Sequence, residues 1–250
     1  MEHKVIVITG ANRGIGIKIA EEFMEDQVTV VCLNRNGKLP EKFSGSSGNP
    51  TIRTAKFFAI DCDVKNEDSV KRAFGRIEKE FGRLDVLVNN AGIHKEIRTS
   101  EMPLELWDDV MDTNARGVIL SCLQAYSLLI QREKSLIVNI GSFFEKLGVK
   151  HNLAYCASKA AVGAITRCLA VEWAKKGIQV VNIAPGYIIT DINQDALGGP
   201  LKTYLEKRIP AGSPGTTGDI SRLIRCLVNN DISFLNGETI FVDGGQSIAH

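Results

Sequence analysis

The chain has 250 residues, 44% of them hydrophobic and 24% charged, and its 30 lysines and arginines against 29 aspartates and glutamates leave a net charge of +1. Such a length suits one large domain, 1–250, with a substantial core. A balanced charge without a long basic stretch supplies no general field for nucleic acid or an anionic membrane, and no apolar run reaches membrane-spanning length, so neither partner is expected and an acidic ligand must be held locally.

Met1-Glu2-His3-Lys4 runs directly into Val5–Thr9, an apolar stretch too short for a signal-peptide core and β-branched enough for a strand. Thr9-Gly10-Ala11-Asn12-Arg13-Gly14-Ile15-Gly16 follows, and then a helical pattern over 14–26. In that strand–turn–helix context, Gly10, Gly14 and Gly16 let a dinucleotide pyrophosphate approach the backbone and the helix N-terminus. Their Gly-x-x-x-Gly-x-Gly spacing differs from the Gly-x-Gly-x-x-Gly fingerprint.

The second strand, Val28–Leu33, ends in Asn34-Arg35. An NAD site would carry an acid there for the ribose hydroxyls, and none is present. Arg35, with Arg13 from the glycine turn, suits a 2′-phosphate instead, because guanidinium–phosphate hydrogen bonds are strong and directional. The expected cofactor is therefore NADP(H) in preference to NAD(H). Pro40, Pro50 and the run Ser44–Asn49 interrupt the stretch Asn36–Arg53, which is expected to be a short helix and an exposed loop.

Phe57–Ile60 reads as the third strand, followed by Asp63-Val64 and a helix over 66–81. Asp63 either accepts from an adenine amino group, with Val64 packing nearby, or serves the helix N-terminus. After the strand Val86–Val88, Asn89-Asn90-Ala91-Gly92 places compact amides and glycine backbone beside a cofactor, and its Asn side chains can also brace neighbouring strands, two roles that are compatible. A helix over 104–132 contains Asn114, and the strand Leu136–Ile140 leads to Ser142. Phe143-Phe144-Glu145-Lys146 comes next, its aromatics either lining a substrate pocket or filling the core.

The helix over 152–175 carries Tyr155 and Lys159, four residues apart and so on one face. An ammonium beside a phenol lowers the phenol's pKa and suits it to proton exchange with a substrate oxygen. Beyond the strand Gln179–Ile183 lies Pro185-Gly186, and an irregular segment, 187–214, is expected to act as a substrate lid. A helix over 218–229 and the strand Thr239–Val242 complete the pattern. Seven short apolar strands alternating with helices specify an α/β, doubly wound Rossmann fold with a mostly parallel, seven-stranded sheet.

Six cysteines, at 32, 62, 122, 156, 168 and 226, lack metal-ligand spacing, and no metal is expected. Cys32, Cys122, Cys168 and Cys226 sit in apolar stretches and read as reduced core residues, which implies a cytoplasmic setting. Cys156 adjoins Tyr155 but has no histidine base in sequence, so it is not read as a nucleophile.

The motifs Thr9–Gly16, Asp63-Val64, Asn89–Gly92, Asn114, Ser142, Tyr155–Lys159, Pro185-Gly186 and Thr190, in that order, resemble the short-chain dehydrogenase/reductase family over nearly the whole chain. Arg208-Ile209-Pro210-Ala211-Gly212 and the stretch Gly237 to Gly245 look most like its 3-oxoacyl-[acyl-carrier-protein] reductase-like members. The resemblance implies that Tyr155 is the general acid in reduction and the base in oxidation. By the same resemblance Lys159 lowers the pKa of Tyr155 and bonds the nicotinamide ribose, Ser142 holds the substrate carbonyl, and Asn114 supports a water-linked proton path to Lys159. Cofactor contacts are implied for Gly10, Asn12, Arg13, Gly14, Ile15, Gly16, Asn34, Arg35, Asp63, Val64, Asn90, Ala91, Gly92, Tyr155, Lys159, Pro185, Gly186, Ile188 and Thr190.

The implied substrate is a small carbonyl or alcohol compound, free or carrier-linked, and the implied assembly a homotetramer or homodimer through the helices 104–132 and 152–175. A competing reading is a nucleotide-sensing binding protein of the same fold without turnover; retention of Asn114, Ser142, Tyr155 and Lys159 argues against it. An enoyl reductase is the third, and the related family's wider Tyr-to-Lys spacing disfavours it.

Overall fold

A computed structural model of the chain describes residues 3–43, 54–190 and 200–249. Within it β1 (Lys4–Thr9), β2 (Val28–Asn34), β3 (Lys56–Asp61), β4 (Val86–Asn89), β5 (Ser135–Ile140), β6 (Ile178–Pro185) and the closing strand Thr239–Val242 form one sheet. Every pairing in it is parallel, as near-continuous apolar strands require when both faces are covered.

The pleat sorts each strand between two cores. In β1, Val5 and Val7 face one core, built with α2 (Glu67–Phe81), α4 (Gly117–Leu129) and α5 (Leu153–Trp173). Ile6 and Ile8 face the other, where α1 (Gly14–Glu22) and α7 (Thr217–Asn229) pack. Strand order runs β3-β2-β1-β4-β5-β6 and then the closing strand, so it reverses between β1 and β4. The crevice beyond the C-terminal ends of these two strands is where such sheets bind ligands.

Three expectations need correction. The helix over 104–132 is interrupted: α3 (Leu104–Met111) passes into a π turn, Asp112–Arg116, before α4 begins. A π turn inserts an extra residue without ending the apolar run, so sequence periodicity reads through it. The first helix ends at Glu22 rather than 26. Among the cysteines, Cys168 and Cys226 are exposed, whereas Cys62 is buried with Cys32 and Cys122. On α5 it is Thr166, Leu169 and Ala170 that turn inward, leaving Cys168 and Val171 on the outer face. Burial pushes the thiols of Cys32, Cys62 and Cys122 up to about 12, which keeps them neutral and unreactive.

Of the stretch Asn36–Arg53, a single 3-10 turn at Glu41–Phe43 is described, and residues 44–53 lie outside the described residues. Of the segment 187–214, the short strand β7 (Ile188–Ile189) pairs with β8 (Gly215–Thr216), and a helix, α6, spans Pro200–Arg208. Residues 191–199 are outside the described residues.

Candidate active site

At the reversal of strand order, the turns after β1 and β4 are locked together by short bonds. Thr9 Oγ1 accepts from the backbone N–H groups of Asn90 and Ala91, both at 3.0 Å. The Asn90 amide donates back to Thr9 O at 3.0 Å and Gly10 O at 3.1 Å. A Cβ on Gly10 would stand 2.9 Å from Ala91 Cα, and one on Gly16 would stand 2.3 Å from Gly10 O, so both positions must be glycine for the turn to close this tightly. Asn90 thus bonds backbone, and the bracing role is the one its side chain performs.

Gly14 opens α1 at φ +54, and among the described residues the Thr190 methyl, 3.8 Å away, is what lies near its built Cβ. Arg13, the N-cap, makes no side-chain cap bond, and the first turn of α1 holds no acid. A polar, uncapped helix N-terminus behind an open glycine fits an anionic pyrophosphate. Asn12 and Arg13 are exposed, and Ile15 packs on the core beneath. At the end of β2, Asn34 is buried and its Oδ1 has no hydrogen-bond partner among the described residues, while Arg35 is exposed. These are the features an adenosine-phosphate end of a dinucleotide would use.

Asp63 Oδ1 accepts from Lys65 N at 3.1 Å in a local turn, and Asn66 rather than Asp63 caps α2. Val64 is buried against α4, where a Cβ on Gly117 would stand 3.0 Å from its Cγ2. Pro185 ends β6, Gly186 N donates to Val242 O at 2.9 Å, and Ile188 is buried in the same core as α1.

Gly92, Asn114 and Lys159 converge beside this crevice: a Cβ on Gly92 would lie 3.2 Å from Asn114 Oδ1 and 3.7 Å from Lys159 Nζ. Asn114 sits in the π turn, 1% exposed. Its Oδ1 accepts from Ile93 N at 2.8 Å, and its Nδ2 donates to Ile93 O at 2.9 Å and to Ser158 Oγ at 3.0 Å. Ser158 in turn donates to Tyr155 O at 2.8 Å. The π turn therefore ties the loop after β4 to the start of α5.

Ser142 follows β5, where its Oγ accepts from Phe144 N at 3.3 Å, and its hydroxyl is close enough to that of Tyr155 to draw the phenol's pKa down. Lys159, one turn along α5 and 5% exposed, donates to Ile140 O at 2.7 Å, with Nζ 5.6 Å from the centroid of the Tyr155 ring. The expectation that Lys159 lowers the Tyr155 pKa does not hold in the free chain. Burial pushes the phenol up to about 12, and the Ser142 hydroxyl offsets this only in part. Burial also draws the Lys159 amine down to about 8, against the pull of the Glu145 carboxylate. Lys159 is aimed at the Ile140 carbonyl rather than at the phenol, and burial is the largest effect on Tyr155.

Glu145 is held by Asn182, whose Nδ2 donates at 2.8 Å. Phe143 and Phe144 are buried, and both stack around the site: Phe144 lies 5.8 Å from the Tyr155 ring, and Phe143 5.4 Å from Tyr187. Sequence reasoning missed His94, whose ring lies 4.6 Å from that of Tyr155. Its position two residues after Asn90-Ala91-Gly92 was the available signal.

The family described as enoyl-(acyl carrier protein) reductase matches residues 10–247. The chain is 34% identical over 243 residues to the 3-oxoacyl-[acyl-carrier-protein] reductase FabG of Staphylococcus aureus, covering 97% of this chain and 98% of that protein. It is 32% identical over 245 residues to an NAD-dependent glycerol dehydrogenase of Listeria innocua, at 98% and 94% coverage. Among solved structures, a gluconate 5-dehydrogenase of Burkholderia cenocepacia in complex with NADP and tartrate superposes with a TM-score of 0.88 at 30% identity, over 99% of this chain and 96% of that one. Sheet, crevice and these relatives define an oxidoreductase acting between CH–OH and C=O. The chain belongs to the short-chain dehydrogenase/reductase family.

The buried amine makes a prediction about stability. Between about pH 8 and 10.5 the unfolded chain holds a proton on Lys159 that the folded chain has released, so stability rises with pH across that window. The Lys159→Met variant lacks the group. The unfolding free energy of the parent minus that of the variant, from urea denaturation, is expected to grow from pH 8 to 10.5; a flat difference would contradict the burial of a depressed amine.

Proposed function

We propose that this chain is an NADP(H)-dependent reductase of ketones, running in reverse as a dehydrogenase of secondary alcohols. The observation that carries the reading is the convergence of Tyr155 and Lys159, whose Nζ lies 5.6 Å from the phenol ring and 3.7 Å from a Cβ built on Gly92, with the Ser142 hydroxyl acting on the phenol. The four-residue spacing of Tyr155 and Lys159 supports carbonyl over enoyl reduction. FabG is named for 3-oxoacyl carrier-protein esters, which makes a 3-oxoacyl compound, free or carrier-linked, one substrate to assay; the relatives named for glycerol and gluconate make polyols another.

Bound NADPH supplies the hydride; the chain's residues supply position and proton. Ser142 holds the carbonyl oxygen, where negative charge develops as hydride arrives at carbon. Tyr155 then gives its hydroxyl proton to that oxygen. A phenol whose pKa is pushed up to about 12 is still far more acidic than the alcohol it forms, so the transfer runs downhill. Lys159 neighbours the phenolate left behind and, with Asn114 and water, returns a proton to it. In oxidation the steps reverse.

Gly10, Gly14, Gly16, Asn12, Arg13 and Ile15 would hold the pyrophosphate side of the cofactor, and Asn34, Arg35, Asp63 and Val64 the adenosine side. Asn90, Ala91, Gly92, Pro185, Gly186, Ile188 and Thr190 would flank the nicotinamide side with Tyr155 and Lys159. The absence of an acid after β2 and the exposure of Arg35 and Arg13 support NADP(H) over NAD(H). Residues 187–214 would cover the substrate within a single domain, 1–250; Tyr187 already packs on Leu205 and Ile209. Six free cysteines suit a cytoplasmic setting, and no helix among the described residues is long and apolar enough to cross a membrane.

Leu123 on α4 is 56% exposed and Val171 on α5 82%, an apolar face that a homotetramer would bury. Light scattering is expected to read four chains; a monomer at micromolar concentration would refute that assembly. Tyr155→Phe is expected to bind NADPH as the parent does and to lose roughly 10²–10⁴-fold in turnover, followed by nicotinamide absorbance with a ketone panel. Tight NADPH binding by the parent with no ketone turned over would favour a nucleotide-sensing protein instead. Arg35→Ala is expected to weaken NADPH about tenfold or more and NADH far less. Equal weakening of both would remove the phosphate role.

A further inference from the structure

His94 lies in the loop between β4 and α3, outside every motif that carries the family resemblance. Its ring is tilted 56° against Tyr155 at 4.6 Å and stands edge-on to Phe144 at 6.4 Å. It therefore forms part of the wall beside the proposed proton donor, with 45% of its side chain still exposed.

Two latches fix it there. Ile97 N donates to His151 O at 2.9 Å, joining the loop after β4 to the one before α5. His94 Nε2 bonds Asn152 Oδ1, and Asn152 is 3% exposed. The Asn152 amide is oriented by its own Nδ2, which donates to Lys150 O at 2.9 Å, so its oxygen is the atom turned to the imidazole. An amide oxygen only accepts, so Nε2 must carry the hydrogen. In the neutral ring Nδ1 is then a lone-pair acceptor. Among the described residues Nδ1 has no partner.

A lone-pair acceptor on the ring that packs against Tyr155 has a chemical consequence for the substrate. A hydroxyl on the carbon next to the reacting carbonyl donates to it; a methyl, a methylene or a thioester in that place does not. We propose that His94 is a specificity-determining residue that selects substrates with a hydroxyl adjacent to the reacting carbon, α-hydroxyketones in reduction and vicinal diols in oxidation. Asn152 is its positioning residue, holding the tautomer and the ring. The assignment rests on the carbonyl-reductase reading above and narrows its substrate class away from 3-oxoacyl esters.

Hydroxyacetone and butanone differ by a hydroxyl against a methyl and serve as the probe pair with NADPH. Because the hydroxyl also alters the carbonyl's own reactivity, the quantity read is the ratio of kcat/KM values, compared between parent and variant. His94→Phe keeps an aromatic ring on Tyr155 and removes the acceptor. It is expected to lower the hydroxyacetone-to-butanone ratio about tenfold, mainly through KM for hydroxyacetone, with NADPH affinity retained. Asn152→Ala, which frees the ring, is expected to lower the ratio less. An unchanged ratio in His94→Phe, or equal losses on both ketones, would overturn the role of His94 while leaving the reductase reading intact. Failure of the parent to turn over any ketone would instead overturn the reading itself and this assignment with it.

Discussion

The close approach of β1 and β4 at their C-terminal ends governs the rest of the site. Thr9 and Asn90 exchange bonds across this junction, and the glycines at 10 and 16 remove the side chains that would hold the two turns apart. Because the backbones meet there, the N-terminus of α1 opens onto the same crevice as Gly92. The proposed cofactor path, from Arg35 past Gly14 to Gly92, follows from this one junction. Loosening it would misplace every group downstream without touching any of them.

A second layer of order joins the catalytic helix to that junction. Asn114 binds both backbone groups of Ile93 and reaches Ser158, so the loop after β4 and the first turn of α5 move as a unit. A π turn at this place has a physical use, since it carries a buried amide whose hydrogen bonds run outward to neighbouring segments rather than along the helix. Tyr155 is thereby held with the His94 ring against it at 4.6 Å and within reach of the Ser142 hydroxyl. The surroundings that orient the phenol also desolvate it, which is why orientation and an elevated pKa come together.

Much of this was legible before any coordinates. The apolar strands and their helices, the glycine turn between the first strand and helix, and the pairing of Tyr155 with Lys159 on one face all follow from periodicity and spacing. Of the two compatible roles the sequence offers Asn90, the brace is realised by its bonds to Thr9 O and Gly10 O. Phe143 and Phe144 were likewise left open between pocket and core; they are buried and yet pack on the rings that border the site. Cys168 was misplaced because an apolar helix with two covered faces leaves no sequence cue to its one outward stripe.

The parallel sheet, the glycine turn at its first crossover, the lack of an acid after β2 and the shared helical face of Tyr155 and Lys159 are written in the order of residues along the chain. Each of these depends on residues close in the chain, where covalent geometry sets the distance. That Lys159 turns to Ile140 O, that Asn114 stands in a π turn, and that His94 packs on Tyr155 under the hold of Asn152 emerges from folding alone. Those arrangements join segments between 19 and 61 residues apart, from Ile140 to Lys159 and from His94 to Tyr155, and such distances close only when two cores pack on opposite faces of one sheet.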